Sequence, residues 1–358
     1  MIPIIRKLGH IRLTIFLLFK LFFLILFATF AQVDRGIFLA NKLYFTSWFV
    51  WGNGFPIFFG GYTIGALLVI NLLCSHSTKF KKSRAYIGIF FIHFGLVLLI
   101  IGAGLTSFFG QEMQIAIKEG ESKNYLDFPS QFNVVIIDAS ESSHDMLYEY
   151  EIDDLKQGIN FKGSKIKLMH LSPNAIINQR GIDNLSYNQL GQTYKLISMP
   201  KTYKMTERNV PGIKLSISNE KGSNLYMLWG GSSIYQSAEI SNKSYLIKLR
   251  PKREYLDFSL NLLDFQRHTY QQSNTVERFK SMIEVVTNEG RIPFTIQMND
   301  PLRYSGYTFF QSSFTEDETT SVFQVVKNPS WIMPYLSSVI IISGLFIQML
   351  GSMRKKHD

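Results

Sequence analysis

His93 is the side chain in this sequence whose type and position together suggest chemistry. It lies within an apolar run, Tyr86–Phe109, that is long enough to cross the roughly 30 Å core of a bilayer as a helix. An ionisable side chain inside such a run is costly and needs a partner, so by default it indicates a functional site. A neutral imidazole is also a good axial ligand for haem iron. His93 is therefore expected to hold a proton, an ion, a haem or a neighbouring helix.

The other histidines give weaker indications. Three lie in the part of the chain that resembles a water-soluble protein, are widely separated, and lack metal-ligand spacing such as HxxxH or HExxH: His144, His170 and His268. Three more lie beside basic clusters and are interpreted as residues at the membrane surface: His10, His76 and His357. Whether any of the first three contacts a cofactor is left open by the sequence.

Nothing in the water-soluble part predicts a hydrolase or a phosphate-binding loop. No GxSxG, P-loop or GxGxxG occurs in a strand–turn–helix context. An acidic run is interpreted as a solvated charged segment rather than a catalytic pair: Glu149, Glu151, Asp153 and Asp154. Cys74 is the single cysteine, so the chain can form neither an internal disulfide nor a CxxC pair. Any thiol chemistry must therefore belong to another protein.

Apolar residues are concentrated in four stretches, at 13–33, 56–74, 86–109 and 332–350. Each is of the length that a transmembrane helix needs, whereas residues 110–331 have the composition of a water-soluble chain. We therefore predict a membrane protein with four transmembrane α-helices and a large β-rich outer domain between the third and the fourth. This divides the chain into a membrane region (1–109), an outer domain (110–331), and a last helix with a basic tail (332–358).

Basic residues predict the orientation of these helices. They precede the first apolar stretch, fill the loop between the second and third, and follow the fourth: Arg6, Lys7, Arg12, Lys79, Lys81, Lys82, Arg84, Arg354, Lys355 and Lys356. Because positively charged loops stay in the cytoplasm, both termini are predicted inside and the β-rich domain outside. The same clusters account for the formal charge of +10. No basic stripe on a soluble face predicts nucleic-acid binding.

The third apolar stretch has two distinct faces. Gly88, Gly95 and Gly102 recur every seventh residue, so they form one stripe that another helix can approach closely. His93 lies two residues from Gly95, roughly 200° around the helix. We therefore expect the imidazole to face a different neighbour. In the second stretch, Asn71 is expected to hydrogen-bond an adjacent helix.

The outer domain has the alternating apolar and polar pattern of β-strands. Turn residues separate the segments, and no helical pattern of comparable strength occurs. An antiparallel sandwich or barrel-like domain is the prediction. The clearest strand segments are Ile213–Asn219, Tyr245–Arg250, Leu256–Phe265, Phe279–Thr287, Arg291–Met298 and Ser321–Lys327.

Segments along nearly the whole chain carry a family resemblance. Leu13–Phe30, Gly88–Ala103 with its histidine, and Gln111–Ser122 occur in a characteristic order. The most specific part is FKSMIEV, followed by IQMNDPLRYSGYTFFQSSF and VFQVVKNP, which run directly into the last apolar stretch. In these features the sequence resembles the ResB family, also called CcsB, of the System II pathway of cytochrome c biogenesis.

The resemblance implies a subunit, not catalytic by itself, of a holocytochrome c synthase (haem lyase) complex in the bacterial inner membrane. Haem b is exported and joined to apocytochrome c outside. The implied partner is a CcsA-type multi-span haem-handling protein on a separate chain, since Trp229 and Trp331 stand alone here and form no tryptophan-rich motif. A thiol-reducing partner is also expected. In the family, the histidine before the outer domain is one axial ligand of a haem within the membrane, and that position here is His93.

Two other hypotheses stay open from the residues alone. The chain could be a structural scaffold for a partner enzyme, with His93 only hydrogen-bonding a neighbouring helix. Alternatively, it could be a transporter subunit that uses His93 as a proton relay. Relays usually need a chain of intramembrane acids or histidines, and His93 is the only strong candidate deep in an apolar stretch.

Overall fold

The membrane region consists of helices joined by one small hairpin. The computed structural model describes residues 2–79, 86–138, 146–179, 187–202, 209–219, 222–241, 243–269, 276–315 and 319–357. The helices are α1 (Ile2–Leu8), α2 (Ile11–Arg35), α3 (Ile37–Ala40), a π-helical turn (Asn41–Phe45), α4 (Gly61–Lys79) and α5 (Ile87–Phe109). The hairpin is formed by β1 (Phe49–Gly52) and β2 (Phe55–Phe59).

The hairpin corrects the predicted start of the second apolar helix. That helix was expected at 56–74, but Phe55–Phe59 is a strand and α4 begins only at Gly61. The cause is the Asn53-Gly54 pair, whose φ angles of 50° and 85° give the two-residue turn that Asn-Gly favours. Five residues are thus removed from the helix at its start, and α4 extends instead to Lys79.

Three helices in the described part of the chain are long and apolar enough to cross a membrane. They are α2, α5, and the segment Met333–Met353 of the last helix, α8 (Met333–His357). They correspond to the predicted stretches 13–33, 86–109 and 332–350. α4 is not among them because its last five residues, from Ser75 to Lys79, are polar. The prediction of apolar helices that could span a membrane, together with a large β-rich domain, is confirmed for these three helices.

The outer domain is built from antiparallel strands with two single-turn helices, α6 (Asp154–Gln157) and α7 (Leu190–Thr193). The strands are β3 (Gln111–Lys118), β4 (Ser122–Asp138), β5 (Met146–Glu151), β6 (Ile159–Phe161), β7 (Ser164–Ser172), β8 (Ala175–Gln179), β9 (Tyr194–Ser198), β10 (Gly212–Asn219), β11 (Gly222–Trp229), β12 (Gln236–Ile240), β13 (Lys243–Thr269), β14 (Val276–Thr287), β15 (Gly290–Gln297), β16 (Leu302–Tyr304), β17 (Tyr307–Phe314) and β18 (Thr320–Lys327).

Two long strands, β4 and β13, run through both halves of this domain. The first region in which they pair begins where Ile137 lies opposite Leu246. It belongs to a sandwich: β5 pairs with β4, β12 pairs with β13, and the sheet β11-β10-β7-β6 packs against this face. Their second region belongs to a curled sheet in the order β15-β14-β13-β4-β3-β18-β17-β16. Each half has its own apolar core. The prediction of an antiparallel, sandwich or barrel-like domain is confirmed.

One strand is longer than the pattern predicted. Tyr245–Arg250 and Leu256–Phe265 were expected as separate strands, but both belong to β13. The ladder with β4 is irregular at Pro251/Lys252 and again between Tyr255 and Leu260. Pro251 has no N–H to donate to the ladder, and the first irregularity accommodates it without ending the strand.

The predicted glycine stripe on α5 is confirmed as the contact with α8. Gly88, Gly95 and Gly102 are all buried. A Cβ atom added to Gly88 would lie 2.7 Å from the backbone N of Gln348 and from the carbonyl O of Gly344. The approach is reciprocal, since a Cβ on Gly344 would lie 2.8 Å from the carbonyl O of Gly88. The two helices therefore meet backbone to backbone at this level.

A polar cluster joins α5 and α8 where they leave the membrane region. Thr106 Oγ1 and Ser330 Oγ lie 2.7 Å apart, and Ser330 Oγ also donates to the carbonyl O of Gly102 at 3.2 Å. Asn328 Nδ2 donates to Thr106 Oγ1 at 3.2 Å. Directly beyond, β3 and β18 pair from Gln111 with Lys327 onward. Only Gly110 on one side and residues 328–332 on the other separate the helix pair from the strand pair.

We expect Gly88→Ala to destabilise the protein, because the new methyl group meets backbone atoms of α8 that cannot move separately. The expected cost is about 1–3 kcal/mol, measured as a lower thermal midpoint of the purified protein in detergent. Gly104→Ala is the matched control, since a Cβ there meets nothing within 4 Å on the same helix. Equal midpoints for the two variants would contradict the close helix contact.

Candidate functional site: a histidine pair and a vestibule

The structure brings a second histidine against His93. Nδ1 of His93 lies 3.0 Å from Nε2 of His76, the two rings standing at 72° with centroids 5.0 Å apart. His76 lies in the last turns of α4 and His93 in the second turn of α5, so the pair joins two antiparallel helices. The expectation that His93 faces away from the glycine stripe, towards another neighbour, is confirmed.

His76 is the residue that sequence reasoning missed. It was interpreted as a membrane-surface residue because the second apolar stretch was taken to end at Cys74. The helix in fact continues to Lys79, which places His76 within it. Two helices joined by a short loop bring together residues at similar distances from that loop. His76 and His93 lie on either side of such a loop, and this spacing is the feature of the sequence that could have predicted their contact.

Polar contacts position the end of α4 that carries His76. Asn71 Nδ2 donates to the carbonyl O of Leu8 at 2.5 Å, and Asn71 Oδ1 accepts from Thr14 Oγ1 at 2.6 Å. Close by, Gly9 packs so tightly that a Cβ there would lie 2.6 Å from the backbone N of Ser75. The prediction that Asn71 hydrogen-bonds a neighbouring helix is confirmed. These contacts anchor α4 one turn before the histidine.

The two ring nitrogens of His93 differ in their contacts. Nε2 makes no hydrogen bond with any residue that the structure describes. The same helix face carries Phe90 and Phe94, with exposed fractions of 41% and 48%. From its position in the second turn, His93 lies about 9 Å from the N-terminal end of α5. The pair is therefore at the end of α5 that follows the basic loop.

A cavity of about 2390 Å³ lies at the opposite end of α5, which we call the vestibule. Its membrane side is lined by apolar residues of α4 and α5, such as Ile64 and Ile100. Its other side is lined by polar residues of the outer domain, including Arg253 and Glu254. The lining of α5 begins at Ile100, about 10 Å along the helix axis from His93. One helix thus connects the histidine pair with the vestibule.

A hydrogen-bonded group stabilises the vestibule wall at Glu254. Its Oε1 accepts from Tyr307 Oη at 2.5 Å and from Lys327 Nζ at 2.7 Å. Burial raises the pKa of Glu254, but these hydrogen bonds and the charge of Lys327 outweigh it, so the pKa lies below its ordinary value. The same bonds raise the pKa of Lys327. The group joins β13, β17 and β18 next to the start of α8.

The acidic run of the outer domain is more structured than predicted. Glu149 pairs with Arg250, whose side chain is only 4% exposed, and Glu151 pairs with Lys252 at 2.9 Å. The interpretation of a solvated run is therefore wrong for Glu149, whose side chain is 26% exposed, whereas Glu151 is solvated as predicted, with 59% of its side chain exposed. The reason is that β5 lies beside β4, which in turn pairs with β13, so β5 carboxylates reach β13 cations.

The remaining histidines form no metal site in the described part of the chain. His170 is exposed on β7. His144 and the side chain of His268 lie outside the described residues. Where the structure describes the chain, no group of three or more His, Cys, Asp or Glu residues could hold a metal ion. His93 therefore remains the candidate ligand, with His76 beside it.

Part of the outer domain matches a known protein family. Residues 230–322 match the ResB-like family, a range that includes most of the specific segments from β14 to β18. The resemblance to ResB is confirmed. A relative, Protein NrfI of Wolinella succinogenes, is 24% identical over 291 residues, which are 79% of this chain and 29% of that protein. This chain thus matches less than a third of the length of that relative. The family match does not include His93.

We expect the stability of this chain to fall in acid through Glu254. Folding lowers the pKa of this carboxylate, so its charged form stabilises the folded protein at every pH above the pKa of Glu in the unfolded chain, about 4.3. The stabilisation is lost as the pH falls through the lower pKa of the folded state. Thermal midpoints between pH 3 and 7 should fall less steeply for Glu254→Gln than for wild type. Glu239→Gln, at an exposed position on β12, is the control and should keep the wild-type slope.

Proposed function

We propose that this chain is a membrane subunit of a cytochrome c assembly system of the ResB type. In this function it assists the export of haem and its attachment to apocytochrome c, and His93 is an axial ligand of a haem held within the membrane. The ResB-like match and the NrfI relative support the role in cytochrome c biogenesis. The observation that carries the ligand role is the arrangement of His93, with Nδ1 held by His76 and Nε2 available.

The residues around His93 fit a haem as cargo. A neutral imidazole suits iron, and a ligating histidine is usually held through its other nitrogen. Phe90 and Phe94 offer an apolar, partly exposed surface for a porphyrin face. Because α8 covers the glycine face of α5, the histidine face is the one left for a partner. A CcsA-type protein would contribute the second axial ligand there.

The vestibule is the proposed place where the outer steps occur. Small-molecule pockets have volumes of about 300–1,000 Å³, so a cavity of about 2390 Å³ can hold a polypeptide segment together with a haem. Its apolar and polar walls suit a molecule with an apolar ring and charged carboxylates. Since Cys74 is the only cysteine and lies on α4, reduction of the apocytochrome thiols requires a separate protein.

This function requires a defined orientation in the bacterial cytoplasmic membrane. The vestibule and the outer domain face the extracytoplasmic side, while the histidine pair and the basic loop are on the cytoplasmic side. The distribution of Lys and Arg supports this placement. With α4 as a further crossing helix beside α2, α5 and α8, the chain crosses the membrane four times, and both termini are cytoplasmic.

The histidine pair also supports a second candidate, a proton relay. The argument against a relay was the lack of a second ionisable partner for His93, and His76 is an ionisable partner at 3.0 Å. A relay needs no haem, so the two candidates differ in their absorption spectra. In a purely structural scaffold, His93→Gln would keep a hydrogen bond to His76 and retain full function.

We expect the full chain, purified with its co-produced CcsA-type partner, to show a Soret band that depends on His93. His93→Ala should lose or shift this band and the mature cytochrome c, and added imidazole should partly restore both. His170→Ala, which removes an exposed histidine of β7, should leave the spectrum unchanged. A wild-type spectrum in an intact His93→Ala complex would assign all haem ligation to the partner.

A further inference from the structure

We propose that His76 is a positioning residue for His93: it accepts the Nδ1–H of His93 and thereby sets the tautomer, the ring orientation and the basicity of the iron-binding Nε2. This inference rests on the proposed function, since it assigns a role to His76 only if His93 is a haem ligand. It extends that function by adding a residue on α4 to the site.

The donor and acceptor roles follow from the geometry of the pair. Only Nδ1 of His93 and Nε2 of His76 are within hydrogen-bond distance, at 3.0 Å. If Nε2 of His93 gives its lone pair to iron, the proton of the neutral ring must be on Nδ1. His93 is then the donor, and Nε2 of His76 must be the unprotonated acceptor. One hydrogen bond thus defines the tautomers of both rings.

The surroundings of His76 hold it in place for this role. One turn earlier, Asn71 links α4 to Leu8 and Thr14, and Ser75 packs against Gly9. On the α5 side, the ring of Phe90 meets that of His76 edge to face at 5.7 Å. The contacts of Asn71 and Ser75 therefore hold the acceptor independently of the helix that carries the ligand.

The contact should affect haem binding in a measurable way. Outer-shell partners of metal ligands commonly change metal affinity 10- to 100-fold. Loss of the acceptor makes Nε2 less basic, which weakens its bond to ferric iron and shifts the midpoint potential of the haem to a more positive value. Gln can still accept the Nδ1–H through Oε1, whereas Leu cannot.

The experiment compares the full chain, purified with its CcsA-type partner, as wild type, His76→Leu, His76→Gln and His93→Ala. His170→Leu, the same substitution at an exposed histidine of β7, is the control. Imidazole is titrated into each complex while the Soret region and the midpoint potential are recorded. For His76→Leu, we expect displacement of the protein ligand at a roughly 10- to 100-fold lower imidazole concentration and a positive shift in potential. His76→Gln should be close to wild type.

The outcomes separate the two proposals. If His93→Ala alters the spectrum while His76→Leu matches wild type in potential and in the titration, the positioning role is overturned and the proposed function stands. If His93→Ala leaves the spectrum unchanged, both fail.

A second measurement covers the case in which His76→Leu does not accumulate. Nitrogen-15 histidine spectra of the wild-type chain with its haem-loaded CcsA-type partner, recorded in lipid bilayers with the haem reduced, should show the iron-bound ring protonated on Nδ1 and hydrogen-bonded to a second imidazole. An iron-bound ring whose Nδ1–H has no imidazole partner would overturn the proposal without any variant.

Discussion

The close packing of α5 on α8 is the constraint on which the rest of the structure depends. Gly88 and Gly344 allow the two backbones to meet, so one face of each helix is occupied by the other helix. The pair then continues through the cluster of Thr106, Asn328 and Ser330 into the paired strands β3 and β18. Packing inside the membrane region and pairing in the outer domain are therefore parts of one continuous unit.

This constraint decides which way His93 faces. Because the glycine face is occupied by α8, the opposite face of α5 is turned towards α4 and, beyond it, towards whatever binds outside the chain. α4 is held in turn by Asn71 and by the Gly9 contact, so the level of His76 along α5 is defined. The hydrogen bond between His76 and His93 is therefore a consequence of the α5–α8 packing and of the contacts that hold α4.

The long strands β4 and β13 play the corresponding part in the outer domain. They belong to both apolar cores, so neither half can shift without disturbing the other. The curled half, which begins at β3 and ends at β18, carries the ion-paired Glu254 on the vestibule wall. The vestibule therefore lies between two parts, the helix pair and the curled sheet, and its shape depends on both.

The sequence by itself determined the features that depend on local periodicity. A seven-residue repeat of glycine defined the α5 stripe, a lone ionisable residue in an apolar run identified His93, and alternation located the strands. Only the tertiary structure decided that His76 lies against His93, that Glu149 meets Arg250, and that two predicted strands form one. These contacts join residues far apart along the chain or beyond a predicted boundary, where a local pattern carries no information about the partner. The hairpin at Asn53-Gly54 had a local indication, but the apolar residues around it also suit a helix in a membrane.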